Sequence, residues 1–244
     1  MTTLSQLGLL TQWQLRRQAT MLPLLVVVQV FLAIATILGF GLVIGEPTPE
    51  QALYLATGAP TITLVMVGLV MTPQMVSQAR TEGSLDWMRT LPVPRGLFLL
   101  SDLVVWTLIA LPGMVLGIVV GMLRFDVHLS LAAWFVPAAL LVSLTAAAVG
   151  YGMASLLKPT LAMLMTQVLV FVILLFTPVS FPADRMPSWL QTAHAWLPFE
   201  PMAQLVRSGL ASDTFSVPGR SLVVLLVWSA AAVAGATWAL RRRA

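Results

Sequence analysis

The sequence predicts an all-α polytopic membrane protein with six transmembrane helices, and three observations carry that prediction. The first is composition: 59% of the 244 residues are hydrophobic, 9% are charged, and the mean hydropathy is +0.93. Those are the values of a chain dissolved in lipid. The second is the spacing of charge. Cutting the chain at every charged residue leaves six uncharged runs of twenty or more residues, 18–45, 51–79, 103–123, 127–157, 159–183 and 221–240. Each is long enough to cross ~30 Å of hydrocarbon once. The third is the distribution of basic residues. With the amino terminus inside, Arg16, Arg17, Arg80, Arg89, Arg95, Lys158, Arg241, Arg242 and Arg243 are cytoplasmic, nine of the thirteen, and Arg124, Arg185, Arg207 and Arg220 lie outside. The positive-inside rule then places both termini in the cytoplasm.

Taken in order, residues 4–20 set Leu4, Leu7, Leu10 and Trp13 at near-helical spacing, with Gln6, Gln12, Gln14, Arg16 and Arg17 largely elsewhere on the wheel. That pattern predicts an amphipathic helix lying along the cytoplasmic interface, for which anchoring and bracing a partner contact are both open uses. The basic pair before the first apolar run imitates a signal peptide, but the run is too long and lacks a small-residue cleavage site. The first span is predicted at 22–44, and its one strongly polar residue is Gln29. The second, 53–76, carries Thr57, Thr61, Thr63 and Thr72 and is expected to bend or loosen at Pro60 and Pro73, whose freed carbonyls the hydroxyls can satisfy.

Residues 80–95 hold five charges in sixteen positions between two apolar runs, so they belong in water. Within them the sequence predicts a short amphipathic helix, opened by Gly83 and Ser84 and stopped after Leu91 by Pro92 and Pro94. A helix held out in a loop is a handle for another protein; a plain solvated turn is the alternative.

The third span, 97–123, has Gly113, Gly117 and Gly121 four apart, a ridge that lets a neighbouring helix of the same subunit approach closely. The fourth, 131–157, has a similar small stretch at Ala146, Ala147, Ala148 and Gly150, and Lys158-Pro159 turns directly into the fifth, 160–178. Residues 179–200 are aromatic and broken by proline, and their uncharged run 186–199 is too short to cross. They are expected to form short helices that dip into the outer leaflet and return, because tryptophan favours the headgroup level; a surface amphipathic loop is the alternative. The sixth span, 221–240, ends at Arg241-Arg242-Arg243, a cytoplasmic anchor.

Several chemistries are disfavoured. No Gly-rich loop ends in Gly-Lys-Ser or Gly-Lys-Thr and Lys158 is the sole lysine, so any ATP is expected to be hydrolysed by another chain. With no cysteine there is no thiolate metal site or cysteine nucleophile, and His128 and His194 form no metalloprotease motif. The polar inventory of the spans, Gln29, Thr61, Thr63, Gln74, Gln167 and Thr177, contains no charge. Such a path suits hydrophobic or amphiphilic cargo and makes a poor proton relay. Asp102 is expected at the cytoplasmic headgroup level as the partner of a nearby arginine.

Two stretches carry a family resemblance over almost the whole chain. One is Glu82-Gly-Ser-Leu-Asp-Trp-Met-Arg-Thr-Leu-Pro-Val-Pro-Arg95; the other runs from Phe181-Pro-Ala-Asp-Arg-Met-Pro-Ser-Trp-Leu through Leu197-Pro-Phe-Glu-Pro to Leu205-Val-Arg207. In this order among six spans, the chain resembles the membrane subunit of type-2 ATP-binding cassette exporters, permeases for drugs, lipids and polysaccharides. It departs at Ser101-Asp102, where relatives commonly show a basic residue. The resemblance implies a coupling helix docked on an ATPase subunit, with Leu85, Trp87, Met88 and Leu91 as apolar contacts and Glu82, Asp86 and Arg89 setting register. It further implies a second permease subunit, identical or paralogous, and an outer gate at Phe181, Pro182, Trp189 and Leu190. No cofactor is expected on this chain, ATP and Mg being held by the partner, and the implied location is a bacterial inner membrane. A non-transporting immunity or assembly factor bound to an ATPase is the rival reading. A membrane enzyme acting on lipid would need a convergent acid, base or metal set, which the sequence does not offer.

Overall fold

The computed structural model describes residues 3–83 and 94–242. Helix α1 spans Thr3–Gln18, α2 Leu22–Ile44 and α3 Pro49–Met66, which continues through a π turn, Val67–Met71, into α4, Thr72–Thr81. Then follow α5, Arg95–Phe125; α6, Phe135–Leu156; α7, Pro159–Phe176; a 3-10 turn, Ala183–Arg185; α8, Ser188–His194; α9, Phe199–Leu210; and α10, Gly219–Arg242. Among the described residues there is no strand. Six segments are long and apolar enough to cross a bilayer: α2, the α3 to α4 unit, α5, α6, α7 and α10.

The α3 to α4 unit is the centre of the molecule. Of its most apolar stretch 83% is buried within the subunit, against 28% for α2 and 17% for α7. Its start is set locally. Thr48 accepts from the Gln51 amide at 3.4 Å and donates its own N–H to Gln51 Oε1 at 3.1 Å, a capping box, with Pro49 in the first turn. Pro60 lies inside α3, where Thr57, Thr61 and Thr63 return their hydroxyls to the carbonyls of Leu53, Thr57 and Ala59 at 2.7, 2.9 and 3.0 Å. With no water in hydrocarbon, these bonds keep a proline-bearing helix satisfied from within.

The expected loosening near Pro73 takes the form of the π turn. The amide of Thr72 bonds the carbonyl of Val67, five residues back, and the Thr72 hydroxyl reaches the same oxygen at 3.2 Å.

Glycines allow the central unit to be enclosed. A Cβ on Gly150 of α6 would lie 2.1 Å from the Gly68 carbonyl oxygen, and one on Gly68 would lie 2.4 Å from the Ala146 Cβ. Helix α6 therefore crosses the π turn with backbones in contact, which larger residues would prevent. On the other flank the α5 ridge meets α3: a Cβ on Gly121 would lie 2.9 Å from the Ala56 Cα, and one on Gly117 would lie 3.0 Å from the Pro60 nitrogen. The ridge is used inside the subunit.

Helix α6 begins at Phe135, later than its apolar run. The preceding chain is committed elsewhere: the Ala132 amide bonds the Gly209 carbonyl at 2.9 Å and the Ser212 amide bonds Ser130 at 3.1 Å. Ser130 also donates its hydroxyl to the Asp213 carboxylate, joining the turn after α5 to the turn after α9. That hydrogen bond holds the exposed Asp213 carboxyl below its ordinary value.

Candidate functional site

At the end of the bundle shared by the α4 and α6 carboxyl termini, Arg80 binds the end of α4 to α6. Its guanidinium donates to the carbonyls of Ala154 and Leu157, the latter at 2.8 Å. These are among the carbonyls a helix end leaves without partners, and a cation there also opposes the negative end of the α6 dipole. Glu82, exposed, accepts from Gln78 Nε2 at 2.7 Å. Of the contact residues expected from the sequence, Glu82 is thus placed, while Leu85, Asp86, Trp87, Met88, Arg89 and Leu91 lie outside the described residues.

The amino-terminal helix reaches the same place. Helix α1 packs on the start of α5, where Thr11 Oγ1 lies 3.4 Å from Ser101 Oγ. A cleft of about 210 Å³ between α1, α4 and α5 is lined by Arg17, Met75, Glu82, Asp102 and Trp106 among others. Asp102 therefore meets an arginine of α1, Arg17, at the foot of the loop.

The six uncharged polar residues expected to line a path do not share one surface of this subunit. Gln29 is fully buried, its Nε2 donating to the Ile109 carbonyl at 2.8 Å and its Oε1 accepting from the Gly113 amide at 3.1 Å. It is a bolt between α2 and α5. A Cβ on Gly113 would lie 2.4 Å from that Oε1, so the glycine makes room for the amide. Thr61 and Thr63 are buried and return their hydroxyls to their own helix. Thr177 is buried, with its hydroxyl 3.3 Å from the Val172 carbonyl. In lipid a hydroxyl or amide either satisfies backbone or faces protein, and the sequence does not say which. Gln74 is half-buried, and Gln167 is exposed on the bare apolar face of α7 with Leu164, Val168 and Phe171.

The opposite end holds a cluster that the sequence reading did not single out. Arg207 of α9 is buried, with its guanidinium carbon 3.9 Å from the Tyr54 ring centroid and 5.8 Å from that of Phe215. Its Nε donates to Thr57 Oγ1 at 3.3 Å, and a terminal nitrogen donates to the Val179 carbonyl. One side chain thus ties α9 to the start of α3 and to the chain leaving α7. Burial draws its pKa down to about 10, against the favourable fields of Tyr54 and Glu200, so it stays charged at neutral pH.

Glu200 is buried on the same helix and accepts from Gln204 Nε2 at 2.8 Å. Burial holds its carboxyl above the ordinary value although Arg207 and Arg220 pull the other way. The signal for this cluster was present, since Arg207 is an isolated charge in an otherwise apolar stretch and closes the second resemblance motif.

The expected gate residues lie in the segment between α7 and α9. Phe181, Pro182 and Leu190 are half-buried, and Trp189 is 70% exposed on α8. His194 at the end of α8 is buried, which lowers its pKa against a hydrogen bond to the Phe176 backbone.

Six helices long and apolar enough to cross a bilayer, with a central helix held at one end by Arg80 and at the other by the buried Arg207, define a polytopic membrane subunit. The family model described as ABC-2 type transporter matches residues 5–211, and the chain belongs to that family. It is a multi-pass membrane protein and the transmembrane component of an ABC transporter, a component that is not itself catalytic. No curated protein matches the chain.

Proposed function

We propose that this subunit exports a hydrophobic or amphiphilic compound, a drug, antibiotic or lipid-like molecule, from the cytoplasm or inner leaflet of a bacterial inner membrane. A separate ATPase subunit binding ATP and Mg drives it through the loop 80–95, and both termini face the cytoplasm. The observation that carries this reading is the 33-residue unit Pro49–Thr81, about 50 Å long at 1.5 Å per residue. It is bound at one end by Arg80 beside the loop and contacted near the other by Arg207 beside the outer segment. A movement of the loop therefore has a continuous element to act on, and its two ends are held by different partners. Coupling needs an element with two arrangements that both sites bias. The π turn at Val67–Met71 is where such a helix changes its winding at least cost.

A second permease subunit, identical or paralogous, belongs against α7. The bare face of that helix presents Gln167, an amide that lipid cannot satisfy and a facing protein or path can. In this arrangement Gln74 and Gln167 reach the path, while Gln29, Thr61, Thr63 and Thr177 hold its wall together. Phe181, Pro182, Trp189 and Leu190 close it on the outside.

The test is flux. Inside-out vesicles holding this subunit with its ATPase should accumulate a fluorescent amphiphile when ATP is supplied, and should lose that activity with Gln167→Leu. Vesicles with ATP turnover but no accumulation of any amphiphile would overturn export and leave the non-transporting factor.

A further inference from the structure

At the Arg207 end of the bundle, the turn after α2 and the turn after α5 enclose a half-open cavity of about 710 Å³. It has room for roughly two dozen waters. Its walls carry opposite charges, Glu46 and Asp126 against Arg124, together with Leu53 and Phe125. All three charged side chains are exposed, and among the described residues none forms an ion pair or a side-chain hydrogen bond. Arg124 lies instead over the Phe125 ring, 5.7 Å from its centroid.

Directly beneath, toward the hydrocarbon, the helix ends are bare: Leu42 is 81% exposed, Val43 84% and Leu123 80%. Gly41 faces the Phe125 ring below the cavity, where a Cβ would lie 3.6 Å from it, in ordinary contact. Bare hydrocarbon followed by unpaired charges of both signs is the profile of a phospholipid, with acyl chains along Leu42, Val43 and Leu123 and phosphate at Arg124. A purely anionic headgroup would meet two carboxylates with no cation to offer them. A quaternary ammonium offers charge but no N–H, whereas a primary ammonium donates to both carboxylates.

We propose that this cavity binds a phospholipid with a phosphoethanolamine headgroup, its phosphate on Arg124 and its ammonium between Glu46 and Asp126. Bound there, the lipid joins the turn before α3 to the turn after α5. The site depends on neither the direction of transport nor the identity of the cargo.

Native mass spectrometry of the full chain with its co-purifying subunits tests this. The detergent is doped with equal amounts of phosphatidylethanolamine, phosphatidylcholine and phosphatidylglycerol of matched acyl chains. The wild type should retain the ethanolamine lipid about fivefold over the choline lipid, the ratio that about 1 kcal/mol of net N–H hydrogen bonding provides. The double variant Glu46→Gln/Asp126→Asn should equalise the two, and Asn suits the left-handed backbone of position 126, where φ is 49°. Arg124→Gln should lose phospholipid retention while Arg124→Lys keeps it, which separates the phosphate contact from a folding defect. An unchanged preference in the double variant overturns the proposal, as does stronger retention of the glycerol lipid by the wild type.

Discussion

Replacing Arg207 with methionine tests the outer clamp, and its effect can be worked from the contacts. The substitution removes two hydrogen bonds given by a cation, to Thr57 Oγ1 and the Val179 carbonyl, each worth about 1.5–3 kcal/mol. It also removes stacking on Tyr54 at 3.9 Å, worth about 2 kcal/mol in a desolvated setting. Against these stands relief from burying a guanidinium, an offset of several kcal/mol. The net expectation is a loss of about 2–4 kcal/mol, because the Val179 carbonyl and the Glu200 carboxylate remain buried with less to oppose them. The carboxylate's share is separable: Glu200→Gln in the Arg207→Met background should recover about 1–2 kcal/mol, a coupling between neighbours that single variants do not report. Unfolding by dodecyl sulfate titration in mixed micelles measures all four corners of the cycle. A single variant within about 0.5 kcal/mol of wild type, or strictly additive effects, would refute the clamp.

Gly150→Ala should cost about 1–3 kcal/mol in the same titration by forcing α6 off the Gly68 carbonyl. Gly152→Ala, whose Cβ would have 3.9 Å of clearance, should be neutral; equal effects would contradict the crossing. Arg80→Gln should lower stability by about 1–3 kcal/mol and Arg80→Lys by less, since lysine keeps the cation at the helix end although it cannot fork onto both carbonyls. Glu200 gives a pH dependence. Its folded pKa lies above the model-compound value of 4.5, so its contribution is fully present below that value and is lost as pH rises through the folded pKa. The stability of wild type relative to Glu200→Gln should therefore fall as pH rises from about 4.5. Taking the difference at each pH removes the opposite contribution of His194, whose lowered pKa makes it lose stability toward acid.

The membrane class and the six crossings were legible because hydrocarbon imposes a simple rule: charge is excluded from a span, so the charges mark its limits. The glycine ridge at 113, 117 and 121 was legible for a related reason, since lipid leaves close packing as the main source of helix association. The direction in which a polar side chain points was not legible. Gln29 and Gln167 are both amides in apolar spans, yet one joins two helices and the other lies bare, and the difference arises from Gly113 and Ile109 eighty residues away. The π turn was half legible: Pro73 announced a disturbed helix, but not that Gly150 of another helix would pack against its backbone. Arg207 shows the opposite failure, a visible signal left unread. A charge in an apolar stretch indicates function or a fixed partner, and here the partners Tyr54, Thr57 and Val179 come from distant segments.

The central claim is that an ATPase works this subunit through the loop 80–95. The most direct measurement is co-purification of the tagged chain with proteins encoded beside it, followed by ATP turnover on the eluate, with Trp87→Ala alongside. The account predicts a stoichiometric ATP-hydrolysing subunit with the wild type and its loss or weakening with the variant. A wild-type chain that stays folded and brings down no ATPase, or an ATPase retained equally by both, would contradict it.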